Sequence, residues 1–149
     1  MGSADQLVGI AICCSVRASC IMGPIRGANA ILLYKITVPA FSDNYIWLIR
    51  HENHCLVVDP GEAAPVLERL ETLGLELDAI LLTHHHRDHV GGVTDLLHHF
   101  PHARLYGPKH DPMPDHHGQW LDDGDQINWH GLSLDVLHIP GHTLGHIAY

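Results

Sequence analysis

Basic residues are scarce in this chain: 8 Lys and Arg stand against 17 Asp and Glu, for a formal charge of −9 with histidine neutral. A surface of that sign has no electrostatic footprint for a phosphate backbone, which argues against nonspecific binding to DNA or RNA. Cysteine is also sparse. Its 4 copies, Cys13, Cys14, Cys20 and Cys55, show no zinc-ribbon spacing. Neighbouring Cys13 and Cys14 make a poor disulfide framework, so a reducing, cytoplasmic setting is expected. Cys55 lies in the apolar run His54-Cys55-Leu56-Val57-Val58 and reads as a core thiol. No apolar run approaches the length needed to span a membrane, and no repeat of solenoid period occurs.

Histidine is what the chain has in excess, with 16 copies. Many must be surface residues; His98, His99, His102, His116 and His117 have no obvious partners in the sequence. The 149 residues suffice for one domain with a real core. Residues 1–35 do not fit the rest and read as a poorly ordered extension. Its short apolar run, Leu7 to Cys14, lacks the basic start of a secretory signal. Arg17, Arg26 and a single acid, Asp5, give it a faint likeness to an organelle transit peptide. Gln6 stands where myristoylation needs Ser or Thr. The domain is expected over residues 36–149.

One stretch organises that domain: Thr83-His84-His85-His86-Arg87-Asp88-His89-Val90-Gly91-Gly92. His84, His86, Asp88 and His89 are all ligand types for zinc and similar divalent ions. The spacing is too tight for two helical histidines one turn apart, and suits a loop whose alternate side chains turn the same way. Ala79-Ile80-Leu81-Leu82 before it reads as a strand, and Gly91-Gly92 after it as a sharp bend into a helix. A histidine-rich surface loop is the plainer alternative, but four ligand types within six residues after a buried-type strand favour a metal site.

Around it, Ile36 to Val38, Asn44 to Arg50 and Cys55 to Asp59 read as strands joined by turns. Glu62 to Leu73 reads as a helix with Pro65 in its first turn, an apolar stripe of Val66, Leu67, Leu70 and Leu73, and Gly74 as its stop. Gly92 to Phe100 is a second helix ended by Pro101. Arg104 to Tyr106 is a short strand, and Gly107 to Gly118 a loop. Asp122 to Asp125 is a solvated turn rather than a calcium loop, since it lacks the EF-hand spacing. Ile127 to Trp129 and Leu132 to Ile139 form a hairpin about His130-Gly131. Pro140-Gly141-His142-Thr143-Leu144-Gly145-His146 repeats the design of a ligand loop at a strand end. Strands alternating with helices predict a layered α/β sandwich. Asp59 closes a strand near the metal loop. It reads either as a carboxylate that fixes a ligand imidazole from behind or as an ordinary turn acid.

His84-x-His86-x-Asp88-His89 matches the HxHxDH signature of the metallo-β-lactamase fold. With Pro39 to Ile49 (PAFSDNYIWLI), Val57 to Gly61 (VVDPG) and Pro140 to Tyr149 (PGHTLGHIAY), the chain closely resembles the N-terminal part of the glyoxalase II (hydroxyacylglutathione hydrolase) family, from about Ile36 to Tyr149. The resemblance implies an αββα sandwich, of which the chain would hold the N-terminal half. It implies two divalent metal ions, zinc first, with iron or manganese also compatible. His84, His86 and His142 would hold one ion, and Asp88 and His89 the other. Asp88 would also act catalytically on the activated water. His85 and Arg87 are not assigned to metal, and His146 is read as structural. The implied substrate is a small-molecule glutathione thioester, with no nucleic-acid or membrane partner. The family's bridging aspartate and last metal-binding histidine have no counterpart here. A fragment that binds one metal and is weakly active or inactive alone is therefore expected. The alternatives are a mononuclear-iron persulfide dioxygenase of the same fold, or a metal-binding remnant without turnover.

Overall fold

The computed structural model describes residues 32–149. Cys13, Cys14, Cys20 and the targeting features of the N-terminal segment lie outside the described residues.

Six strands form the main sheet, in the order β1 (Leu33–Ala40), β2 (Asn44–His51), β3 (His54–Val58), β4 (Glu76–Leu81), β5 (Arg104–Pro108) and β6 (Gln119–Leu121). The first three pair antiparallel and the rest parallel. The switch coincides with the helical crossovers. Helix α1 (Ala64–Leu73) links β3 to β4, and α2 (Arg87–Val90) and α3 (Val93–His99) lie between β4 and β5. Parallel neighbours need crossover connections, and these helical ones cover a face of the sheet; β5 reaches its parallel neighbour β6 through residues 109–118 without a helix. On the other face lie β7 (Gln126–Trp129) paired with β8 (Leu132–Asp135), and β9 (Leu137–His138) paired with β10 (Ile147–Ala148).

The central strands are apolar on both sides because both sides are covered. Cys55 and Val57 join Val66, Leu70, Val93 and Leu96 in a core beneath the helices. Leu56 and Val58 join Ile127, Trp129, Val136 and Ile147 beneath the short strands. Burying one such aliphatic side chain contributes roughly 1.5–3 kcal/mol, so the two-sided run of β3 fixes its place in the middle of the layers. The layering is that of an α/β metallo-β-lactamase-type sandwich, with one helical layer among the described residues.

Most expected elements occur with shifted ends. The first strand begins at Leu33 and takes in three residues that the sequence places in the preceding segment. Helix α1 starts later, at Ala64, and Gly74 closes it with φ +61°. Three departures bear on function. Arg87 to Val90, expected as part of a loop, forms a single helical turn. Strands β6 and β10 have no signal of their own in the sequence, since segments of two or three residues are held by their partners, and the expected strand Leu132 to Ile139 is divided at Val136 into β8, paired with β7, and β9, paired with β10. Finally, Gly91 and Gly92 do not supply an unusual bend: Gly91 has φ −60° and Gly92 φ −88°, ordinary helical values. They supply room. A Cβ on Gly91 would lie 2.6 Å from the Gly61 carbonyl oxygen, and one on Gly92 2.6 Å from the Ala63 nitrogen. The segment after β3 and the turn after β4 touch backbone to backbone there.

Candidate metal centre

Strands β3 and β4 end side by side, joined by the Asp59 N–H donating to the Leu81 carbonyl at 3.0 Å. Asp59 then takes φ +50°, a left-handed conformation that costs a non-glycine residue about 1 kcal/mol. Its carboxylate is buried and accepts the Thr83 N–H at 2.8 Å and the Thr83 hydroxyl at 2.6 Å. The strained turn thus places an ionisable group where two strand ends meet.

The chain of hydrogen bonds continues into the histidine run. Thr83 Oγ1 lies 2.9 Å from His84 Nδ1. A hydroxyl has one proton to give. Donated to Asp59, it leaves the oxygen to accept from the His84 Nδ1–H, and that fixes the tautomer with a bare lone pair on Nε2. His84 is fully buried, and its Nε2 has no hydrogen-bond partner. Burial above all, with the neighbouring His89, pushes its pKa down to about 4. The ring is therefore neutral near pH 7, the form in which imidazole binds a metal ion. A buried orphan nitrogen costs about 1–3 kcal/mol unless something occupies its lone pair.

His86 and His142 complete this corner. His86 Nδ1 and His142 Nε2 stand 3.0 Å apart although their residues are 56 positions apart in sequence. One nitrogen from each of His84, His86 and His142 falls within a 4.8 Å set. Nitrogens sharing a tetrahedral zinc ion at about 2.0–2.1 Å would lie roughly 3.3 Å apart, so the rings need little movement to share one. Their exposure runs from buried His84 through half-buried His86 to exposed His142, which leaves the site open on one side.

A second corner adjoins the first. The His89 ring centroid is 4.2 Å from that of His84. His89 Nδ1 lies 3.2 Å from Asp59 Oδ2, near enough for attraction but not aligned as a hydrogen bond, and Nε2 lies 3.3 Å from Asp88 Oδ2. Burial works to lower the His89 pKa, but the two carboxylates outweigh it and raise it. Asp88 is half-exposed, and Asn44 Nδ2 donates to its Oδ2 at 2.8 Å. Burial opposes ionisation of Asp88. The Asn44 hydrogen bond and the His89 ring prevail and hold it below the usual carboxylate range.

The structure therefore brings His84, His86 and His142 together, and sets Asp88, His89 and Asp59 around the adjoining space. Asp59 lies behind His84 and His89 rather than out in a solvated turn. His85 turns away and binds Asp111. His146 is buried in the same cluster, its ring 4.8 Å from that of His84, with Nε2 another orphan.

Four contributors carried no signal that spacing could reveal. Thr83 sits inside the organising motif without a ligand's chemistry. Asn44 and Glu62 act from other segments, Glu62 by accepting the Phe41 N–H at 2.7 Å. Asp111 does most. It accepts the His85 N–H at 3.2 Å, His85 Nδ1 at 2.8 Å, the Thr143 hydroxyl at 2.9 Å and the Gly145 N–H at 2.9 Å. One carboxylate, only 3% exposed at its side chain, thus ties both histidine loops together. Burial disfavours its charge, but His85, Thr143 and Gly145 hold its pKa down.

The donor set, imidazole and carboxylate with ring nitrogens gathered within 4.8 Å and a buried orphan on His84, suits a divalent metal ion. Residues 40–149 match the model of the metallo-beta-lactamase superfamily, and the chain belongs to that superfamily. Within it, the chain is 88% identical over 114 residues to a hydroxyacylglutathione hydrolase of Aeromonas salmonicida, covering 76% of this chain and 45% of the relative. It is 54% identical over 114 residues to the hydroxyacylglutathione hydrolase of Photobacterium profundum, with the same coverage. The chain spans about half the length of the curated relatives it matches. Among solved structures, it superposes on the BLEG-1 B3 metallo-beta-lactamase with a TM-score of 0.67 at 20% identity, over 77% of this chain and 66% of that one. That likeness bears on the fold. Among the described residues, no helix is long and apolar enough to cross a membrane.

Proposed function

We propose that this chain carries the metal centre of a thioester hydrolase of the hydroxyacylglutathione hydrolase type. The reaction is S-D-lactoylglutathione plus water to D-lactate plus glutathione. His84, His86 and His142 hold one divalent ion, and Asp88 and His89 a second, with zinc the preferred metal. Such ions supply Lewis-acid polarisation of the thioester carbonyl and a water acidified towards neutrality.

The chain's own residues do the rest. Thr83 and Asp59 hold His84 in the tautomer that presents Nε2. Asp59 also draws His89 Nδ1 towards itself, which orients that ring. Asp88 is kept ionised, with one oxygen engaged by Asn44, so the other can orient water and accept its proton. The leaving group is a thiolate, stable enough to depart with little general-acid help.

The observation that carries this reading is the 3.0 Å approach of His86 Nδ1 and His142 Nε2 beside the orphan Nε2 of His84. Support for the substrate comes from the relatives' names. The test is hydrolysis of S-D-lactoylglutathione, with metal content measured on the same samples. It is run on the chain alone and on the chain joined to the C-terminal half of a relative. Hydrolysis by the joined form, lost on His86→Ala or His142→Ala, supports the reading. Failure of a folded, metal-loaded joined form to hydrolyse the thioester overturns it, as does one iron per chain with persulfide oxidation.

A further inference from the structure

A second cluster of ligand-type side chains lies at the other end of β4. Asp78 faces His54 on β3 and His130 in the β7–β8 turn. His54 Nδ1 is 3.0 Å from Asp78 Oδ1, and His130 Nε2 is 2.8 Å from Asp78 Oδ2. Donor atoms of all three residues fall within 4.8 Å of one another. The His54 and His130 ring centroids are 4.3 Å apart. We infer that His54, Asp78 and His130 form a separate site for a divalent transition-metal ion, which clasps the β7–β8 hairpin to the main sheet.

Three features of the fold aim these groups at one point. In the β3–β4 ladder Cys55 pairs with Leu77 and Leu56 with Ala79, so Asp78 is an extra, unpaired residue. Such a bulge re-aims a side chain, and here it turns a carboxylate towards the hairpin. His130 occupies the first turn position with φ +47°, followed by Gly131 at φ +81°, the arrangement of a two-residue turn with both φ positive. Trp129 Nε1 donates to Asp78 Oδ2 at 2.7 Å. That bond leaves lone pairs free on a carboxylate, which has about four, and it orients the group as a hydrogen bond behind a ligand does.

The cluster is reachable, with Asp78 25% and His130 37% exposed at their side chains. Asp78, Trp129 and His130 line a cavity of about 610 Å³, whose acids are Glu76 and Asp78 and whose one arginine is Arg104. Each imidazole would coordinate through the nitrogen that faces Asp78, with its proton on the far ring nitrogen. Two imidazoles and a carboxylate suit the zinc, nickel and copper class. Residues 78 and 84 are six positions apart, about 20 Å of extended chain, so this site is distinct from the candidate metal centre and does not rest on its reading.

The test is titration of the metal-depleted 149-residue chain with Cu²⁺, followed by tryptophan fluorescence, since Trp129 touches the site. His54→Gln, His130→Asn and a control, His102→Gln, are titrated beside it. Asn suits the positive φ of the turn, so His130→Asn spares the backbone. We expect the quenching midpoint to move at least tenfold to higher Cu²⁺ in His54→Gln and His130→Asn, to stay in His102→Gln, and the amplitude to vanish in Trp129→Phe. Equal midpoints in wild type and both site variants overturn the inference and leave a hydrogen-bonded clasp. If a variant fails to fold, a Cu²⁺-soaked crystal of the wild-type chain decides. Anomalous density between the two rings and Asp78 supports the site, and none there overturns it.

Discussion

Asp111→Ala is the sharpest perturbation of the candidate centre, because Asp111 touches both histidine loops and none of the rings assigned to metal. Removing its carboxylate strands the His85 and Gly145 N–H groups, the Thr143 hydroxyl and the His85 ring. An unpaired buried polar group costs about 1–3 kcal/mol. Water reaches His85, whose side chain is 33% exposed, so about 3 kcal/mol in total is a reasonable figure for the set. Spent wholly on parting the two loops, that is a factor of roughly 100 in an equilibrium constant. Since His142 lies on one loop and His84 and His86 on the other, the loss should appear in metal affinity. Losses of about 10–100-fold are usual for partners behind the ligands. Competition with a chromophoric chelator measures zinc affinity, and urea unfolding of the metal-free chain measures stability. The expected outcome is a zinc affinity lowered about 10–100-fold and metal-free stability lowered by about 1–3 kcal/mol. Zinc affinity and unfolding midpoint both equal to wild type would refute the reasoning.

Gly145→Ala should act through the same tie, since its Cβ would lie 2.5 Å from Asp111 Oδ1 and 2.6 Å from the His110 carbonyl carbon. We expect a loss of about 1–3 kcal/mol in urea unfolding, and a stability equal to wild type would contradict the packing described. Cys55 is buried, and its thiol is pushed up to about 12, chiefly by burial. Peptide mapping after iodoacetamide at pH 8 should therefore find it unmodified in the folded chain and alkylated in urea. Asp78 and Asp111 both have lowered pKa values in the fold. Their contribution to stability is complete above the unfolded carboxylate value of about 3.9 and is lost as pH falls through the lower folded values. Asp78→Asn should flatten the acid limb of the stability profile below about pH 4, and an unchanged limb would refute this.

The parts of the centre that spacing reveals are the parts carried within one loop. His84, His86, Asp88 and His89 lie within six residues, and their ligand chemistry marks the loop, while the alternation of its side chains and the HxHxDH resemblance set His85 apart. The loop from Pro140 to His146 was legible because it repeats the strand-end design, but the choice of His142 over His146 as the ligand came from the family resemblance. Asp111 was not legible, because a lone acid before Pro112 looks like any turn residue until the fold brings it to Thr143 and Gly145. The bulge at Asp78 is hidden for a related reason. Leu75, Leu77, Ala79 and Leu81 alternate as in a regular strand, yet Leu77 faces the helices while Ala79 and Leu81 face the hairpins. Pairing with β3 decides that, not local pattern. The role of Gly91 and Gly92 was misjudged because sequence reports that a Cβ is missing but not which contact would forbid it.

The hydrogen-bond order explains why the loops need Asp59 and Asp111 as well as ligands. A histidine cluster without fixed tautomers would satisfy itself by pairing ring to ring, as His86 and His142 can at 3.0 Å. His84 cannot, because Thr83 and Asp59 claim its Nδ1 side and burial keeps it neutral. Its Nε2 is thus left facing the other two rings with nothing of its own to bind. Asp111 meanwhile holds the loops in register, so the His142 ring stays 4.9 Å from that of His84. The two carboxylates divide the work: one sets which nitrogen is bare, the other sets where the third ring stands. Only their combination brings one nitrogen from each of His84, His86 and His142 within 4.8 Å of the others, which is why a ligand count taken from the motif alone underdetermines the centre.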